Sequence, residues 1–358
     1  GKADFVVTGG FDDVGLEGAI GFNDMGATAD TDEMEAMGME PDQMSRANDL
    51  RRRGFIEAHG GGTILLARGD VAARLGLPVL GVVAYAASFG DGIQKSVPAP
   101  GLGLLACTAG GPRSPIAQAL RRYGLTADDI ALVYKHDTST AANDPNENAV
   151  HHNIQQMLGR TPGNPLFVVS QKTLTGHAKG GAAAWQLIGL CQSLEQGIIP
   201  GNRNLDCVDP AMQRYHALGF TDRSLRAGPG RLKAGLATSL GFGHVSAILL
   251  VLHPEAFERL LPAEVREAWR SAVAKRSADQ RRARAGILLG ERPAYVKRTH
   301  RRFDAADGTE AQLAEEIALL TNADARLDAV SRTFVSGAPN GRMVWPVAGL
   351  ATSEVTPL

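Results

Sequence analysis

Ile130-Ala131-Leu132-Val133-Tyr134-Lys135, followed at once by His136-Asp137-Thr138-Ser139-Thr140, is the stretch on which the fold turns. The apolar run does not alternate with polar residues, so it reads as a strand covered on both faces, the kind that lies in a parallel sheet beneath helices. The histidine and hydroxyl residues that end it then stand at the strand's carboxyl end, where α/β folds place their sites. Asn143-Asp144-Pro145-Asn146-Glu147 comes next. Its spacing predicts a helix over 145–158, with Asp144 as N-cap, Pro145 in the first turn and Glu147 completing a capping box. Val150, Ile154, Met157 and Leu158 form one apolar stripe that stops before Gly159.

The same grammar continues in both directions. Further strands are predicted at 79–85, 166–170, 234–239 and 247–252, and further helices at 114–123 and 178–196. Such alternation gives an α/β fold with sheets covered by helices. Gly61-Gly62-Thr63-Ile64-Leu65-Leu66-Ala67 echoes Val245-Ser246-Ala247-Ile248-Leu249-Leu250-Val251, which suggests two related halves. Residues 3–8 read as a buried strand ended by Gly9-Gly10, with no initiator Met or leader before it, so the chain reads as a segment of something longer. From Pro262 onward the sequence turns basic and then irregular around Trp345, and 256–358 read as an appendage.

A chain of 358 residues with 44% apolar content has material for about two domains of roughly 150 residues each. Lys+Arg 37 against Asp+Glu 38 leaves no basic excess of the kind a nucleic-acid binder shows, so nucleic acid is not the expected partner. The charge is nevertheless uneven: residues 1–50 carry 12 acids and 2 bases, while 264–303 carry 12 bases and 4 acids, the pattern of solvated or docking faces. The longest apolar runs, 79–87 and 247–252, are shorter than the ~18 residues a membrane helix needs. Cys107, Cys191 and Cys207 form no CxxC pair, which argues against a disulfide framework or a cysteine zinc site and points to the cytoplasm.

His136 and His177 are the candidate chemical groups. His177 follows the strand predicted at 166–170 through Gln171-Lys172-Thr173-Leu174-Thr175-Gly176 and precedes Gly180-Gly181 at a helix start. A helix N-terminus disfavours positive charge, so His177 is expected to stay neutral and donate one N–H, the state that stabilises an oxyanion. Two such donors on one carbonyl oxygen would stabilise an enolate, with Lys172 near enough to orient or polarise the cluster. His151 and His152 are expected on the polar face of their helix; as zinc ligands they lack an HExxH or cysteine partner. Gly101-Leu102-Gly103-Leu104-Leu105-Ala106 matches a loose dinucleotide pattern but follows Pro98 and Pro100 where a strand is required. No GxxxxGK[ST] loop and no GxSxG elbow occurs.

Taken in order, the His136 to Thr140 run, Asn143 to Glu147, Lys172-Thr173-Leu174-Thr175-Gly176-His177, Ile199-Pro200-Gly201-Asn202-Arg203-Asn204 and Gly241-Phe242-Gly243 resemble the signature of the β-ketoacyl synthases, or condensing enzymes. The spelling is most similar to the ketoacyl synthase domain of fungal-type and mycobacterial-type type I fatty acid synthases. Gly9-Gly10, Asn23-Asp24-Met25-Gly26-Ala27-Thr28, Met44-Ser45-Arg46 and Gly54-Phe55-Ile56-Glu57-Ala58 extend the match, which covers about residues 1–255.

The resemblance implies a thiolase-like fold of two pseudo-repeated βαβ-type halves in layered α/β/α/β/α order. The N-terminal half would be truncated and occupy 1–105, the C-terminal half 106–255, with 256–358 as a basic helical and irregular extension. It implies decarboxylative Claisen condensation of an acyl-enzyme with malonyl-acyl carrier protein in fatty acid biosynthesis. In that scheme His136 and His177 bind the malonyl thioester oxygen and Lys172 holds their hydrogen-bond network. Thr138 and Thr140 meet the phosphopantetheine arm, Thr175, Gly241 and Gly243 lie on the substrate side, Phe242 gates the acyl pocket, and Glu147 is structural support. Phosphopantetheine arrives on acyl carrier protein and no cofactor or metal is held directly. Acyl carrier protein, malonyl and acyl thioesters, other fatty acid synthase domains and a second copy in a homo-oligomer are the implied partners. The family's nucleophilic cysteine corresponds to a position before Gly1, and Asp137 replaces the glycine usual after the first histidine. A non-catalytic scaffold or dimerisation segment is the alternative reading, and a metal hydrolase built on the histidine-rich helix a third.

Overall fold

The computed structural model describes residues 3–92 and 101–292, together with the backbone of three short strands beyond them. In chain order the first elements are β1 (Phe5–Asp12), α1 (Leu16–Asp24), α2 (Thr31–Ala36), β2 (Gly60–Ala67), α3 (Gly69–Leu75), β3 (Val82–Gly90), α4 (Pro115–Arg122), β4 (Ile130–Tyr134) and α5 (Asn143–Met157). They are followed by β5 (Leu166–Val169), α6 (Lys172–Thr175), α7 (Lys179–Gln196), β6 (Ile198–Ile199), β7 (Leu218–Gly219) and β8 (Leu225–Arg226). Then come β9 (Ala234–Gly241), β10 (Val245–Leu252), α8 (Glu255–Leu260) and α9 (Ala263–Leu288).

Six strands form the central mixed sheet in the order β3-β10-β9-β4-β5-β7, with β9, β4, β5 and β7 parallel and β10 antiparallel to both its neighbours. The unbroken apolar run of β4 explains its central place. Ile130 and Val133 enter a core shared with Val150 and Ile154 of α5, whereas Leu132 and Tyr134 enter a second core with Leu190 and Leu194 of α7. One face of the sheet is thus sealed by α5 and the other by α7.

On its far side α7 meets a ribbon of β1 and β2, paired antiparallel from Phe5↔Ala67 to Asp12↔Gly60. Backbones touch there: a Cβ on Gly10 would lie 1.8 Å from the Gly180 carbonyl oxygen. Sheet, helix and ribbon make the layers of an α/β fold. The strand expected at 3–8 is real but longer, and it is not buried. With two strands in this sheet and α7 on one side, Val7 and Phe11 are 71% and 70% exposed.

The half-boundary placed at 105 does not coincide with the sheet. β3 pairs with β10 along its length, so residues 82–90 belong with the strands of the later half. The chain divides into compact units Gly1–Ala278 and Asp279–Leu358; within the first, Trp269 of α9 is buried against Phe257 at 5.3 Å between ring centroids and donates its indole N–H to the Leu77 carbonyl. The second unit contains an antiparallel three-stranded sheet over Ala325–Asp328, Thr333–Ser336 and Val344–Pro346. The end of the basic run at 293–303 and the side chain of Trp345 lie outside the described residues. No helix among the described residues is long and apolar enough to cross a membrane.

Candidate active site

β4 ends in a network built on its own last residues. Lys135 is fully buried and donates to Asp137 at 2.5 Å and to the Asn148 amide oxygen at 2.6 Å. Asp137 also accepts from the Ser170 hydroxyl at 2.5 Å and from Asn48 Nδ2 at 3.0 Å. These bonds hold Asp137 at φ 27°, a left-handed conformation where glycine would be the default. Burial opposes the charge of Lys135, yet Asp137, Glu147 and Asp144 around it keep the ammonium above its usual pKa.

α5 does not begin as its sequence suggests. It starts at Asn143, whose N–H donates to the Thr140 hydroxyl at 3.0 Å, and neither Asp144 nor Glu147 caps it. Both carboxylates turn instead onto the loop after β4. Glu147 accepts from the His136 N–H at 2.7 Å, the Asp137 N–H at 2.8 Å and the Thr238 hydroxyl at 2.8 Å. Asp144 accepts from the N–H groups of Asn48 and Thr138. Burial and then the nearby Asp137 raise the Asp144 carboxyl to about 7. Burial alone would raise Glu147 too, but its bond toward His151 and the charge of Lys135 hold it well below the usual carboxylate range. His151 is fully buried beside Thr238, not on a polar face, and His152 accepts from the Ala217 N–H. The two imidazoles are spent on different neighbours, and among the described residues no group of three or more His, Cys, Asp or Glu is placed to hold a metal ion.

His177 reaches the same place from the other direction. Gly176, at φ 71°, reverses the chain after α6, and an added Cβ would lie 2.8 Å from that of Ala58. The His177 N–H donates to the Ile56 carbonyl at 2.8 Å and the Ala58 N–H donates to the His177 carbonyl at 3.3 Å, which clamps the residue in place. The rings of His136 and His177 lie edge to face, 5.1 Å between centroids, and both line one cavity of about 540 Å³.

Fixed donors set both tautomers. The Lys179 N–H donates to His177 Nδ1 at 3.1 Å, and Lys172 Nζ lies 3.4 Å from His136 Nδ1 while also donating to the His136 carbonyl. In a neutral ring whose Nδ1 accepts, the proton sits on Nε2. Burial first, then Lys172, lowers His136 to about 3, and the same causes in the same order, with His136 and Lys179 adding, push His177 lower still. The neutrality expected from a helix N-terminus therefore has burial and neighbouring cations as its leading causes. Lys172, itself buried, is lowered to about 8.

Thr138, Thr140, Gly241 and Phe242 also line the cavity, but Thr175 and Gly243 do not. The Thr175 hydroxyl is turned back on the carbonyls of Gln171 and Gly176, finishing the short α6, and Gly243 is exposed in the turn between β9 and β10. Residues that motif reading left without a role complete the wall: Phe22, Phe55, Asn143, Lys179 and Ser239. Phe22 packs on both Phe55 and Phe242, each 5.5 Å between centroids. None of the three cysteines lines this cavity; burial raises the thiols of Cys107 and Cys191 to about 12 and about 11, and Cys207 is exposed.

Comparison with known proteins adds an independent line. Residues 80–206 match the family model described as Beta-ketoacyl synthase, C-terminal domain. The chain is 43% identical over 291 residues to Fatty acid synthase alpha subunit stcJ of Emericella nidulans, an alignment covering 81% of this chain and 18% of that protein. It is 39% identical to Fatty acid synthase 2 of Mycosarcoma maydis, covering 77% of this chain and 7% of that one. To Fatty acid synthase subunit alpha of Saccharomyces cerevisiae it is 32% identical, covering 79% and 19%. The chain thus spans less than a fifth of the length of these relatives. Among solved structures, the ketosynthase FabY from P. aeruginosa superposes with TM-score 0.75 at 22% identity, over 97% of this chain and 51% of that one, so the two share a fold.

Proposed function

This chain belongs to the β-ketoacyl synthase family, and from that premise we propose that it forms the decarboxylating part of a condensing site in fatty acid biosynthesis, an acyltransferase by reaction type. The observation that carries the reading is the convergence of two neutral imidazoles, His136 and His177, on one cavity with Nδ1 of each already engaged. Each then presents Nε2–H as a donor. Malonyl thioester is the substrate such a pair suits: the bond from C2 to the carboxylate breaks, its electron pair passes into the enolate, and CO2 leaves. The developing negative charge falls on the thioester oxygen, where two fixed donors in a water-poor site lower the barrier most. The enolate carbon then attacks the carbonyl of an acyl group held as a cysteine thioester, and the thiolate departs.

Lys172 fixes His136, Glu147 fixes the backbone at 136 and 137, Thr138 and Thr140 face the phosphopantetheine arm, and Phe242 with its neighbour Phe22 closes the acyl side. The acylated cysteine is supplied from outside these residues, and acyl carrier protein and other synthase domains are the partners. The fungal relatives, and a ketosynthase solved with its acyl carrier protein at TM-score 0.58, support that reading.

His177→Ala tests it. In the full synthase, CO2 release from malonyl thioester is expected to fall about 10²–10³-fold, the usual cost of one oxyanion donor, while acyl loading of the cysteine changes far less. Equal loss in both steps removes the assignment.

A further inference from the structure

Lys179 is the charged side chain among the described residues that line the cavity; His136 and His177 are neutral there, and the remaining polar wall is hydroxyl and amide. Its ammonium lies 5.0 Å over the Phe22 ring and pairs with one oxygen of Glu57. The other Glu57 oxygen, Oε1, is buried without a hydrogen bond. Lys172, the other nearby cation, is 2% exposed and committed to His136, whereas the Lys179 side chain keeps 22% of its surface open.

We propose that Lys179 receives the free carboxylate of the extender thioester, and that Glu57 limits how tightly it is held; this rests on the condensing function proposed above. An anionic group entering a mainly apolar cavity loses its water and needs a cation to meet it. Lys179 meets that need beside the two imidazoles, so the carboxylate and the thioester oxygen are engaged by separate groups. A cation that held the carboxylate without competition would stabilise the ground state and slow the loss of CO2. Glu57 supplies the competition: from behind the cavity wall it already pairs with the Lys179 ammonium, so a bound carboxylate shares that cation, and its departure as neutral CO2 returns the ammonium to Glu57. The cavity therefore distinguishes an anionic extender from a neutral acyl thioester by charge, while its aromatic side accepts the chain.

The probes are two non-hydrolysable pantetheine amides, one carrying a malonyl group and one an acetyl group, titrated onto the full chain by calorimetry. Wild type is expected to bind the malonyl amide at least about tenfold more tightly, a preference that shrinks with salt. Lys179→Met should abolish the preference without weakening the acetyl amide, Lys179→Arg should keep most of it, and Glu57→Gln should increase it while slowing CO2 release from the reactive thioester. Equal binding of the two amides by wild type overturns the proposal, as does an undiminished preference in a folded Lys179→Met. If Lys179→Met does not fold, the wild-type preference and the Glu57→Gln shift decide. A charge preference that follows Lys179 in a synthase releasing no CO2 would uphold this assignment and sink the condensing function instead.

Discussion

Lys172 is a cation kept for a neighbour's sake. Burial brings it to about 8, with Glu147 and Asp137 restraining a larger fall, so its proton is lost just above neutrality. Below about 8 the ammonium donates to His136 Nδ1 and holds the ring; above it the weaker amine remains. The rate of malonyl decarboxylation is therefore expected to decline as pH rises through about 8, and Lys172→Met should give a lower rate without that alkaline limb. A pH–rate series on both proteins checks this. His136, Lys172 and His177 are legible in the sequence because each stands where an apolar run gives way to a turn. Phe22 and Lys179 are not, since a residue's presence on a cavity wall depends on which distant elements face it. The one trace Lys179 leaves in the sequence is its place two residues after His177, to whose imidazole its N–H donates.

At the scale of the element, α5 shows how a correct helix came with the wrong start. Asp144, Pro145 and Glu147 fit the capping grammar, but capping scores only local donors, and the loop after β4 offers buried N–H groups that local spacing cannot see. Two carboxylates sharing one helical turn answer those donors, and the Thr140 hydroxyl accepts the Asn143 N–H at the helix start. Glu147→Ala leaves two buried N–H groups without acceptors and should cost about 3 kcal/mol or more, while Glu147→Gln, which keeps one oxygen, should cost less. Urea unfolding measures the difference. The strands were readable for the opposite reason: β4, β5, β9 and β10 are buried on both faces, so their apolar runs carry the signal within themselves.

Across the whole molecule, the buried site sets the response to acid. His136 and His177 are depressed from 6.5, so on acidification below about 6.5 the unfolded chain binds protons that the folded chain refuses, and stability is lost. Asp144 acts the other way: raised from 3.8 to about 7, it keeps a proton in the folded state between those values and gains stability as pH falls. These two imidazoles, joined by His152 and His253, which burial also lowers, oppose one carboxyl, so the melting temperature should fall between about pH 7 and pH 5, by about 2–4 °C per kcal/mol lost. A His136→Asn, His177→Asn variant should weaken the trend, as a thermal melt at each pH would show. What the sequence did not convey at this scale is the β1–β2 ribbon. Its apolar spelling reads as core, yet burial depends on how many strands and helices a tertiary arrangement lays beside it.

The pinned tautomers carry one more consequence. A carbanion born in water is quenched at once into an acetyl thioester, and the carbon–carbon bond is never made. In the proposed condensation Nδ1 of each ring is already engaged, and each Nε2–H would be held on the enolate oxygen, away from the carbon that must not be protonated. On that reading the reactive species would be cradled at its oxygen and kept from water, and so would survive long enough to find its electrophile.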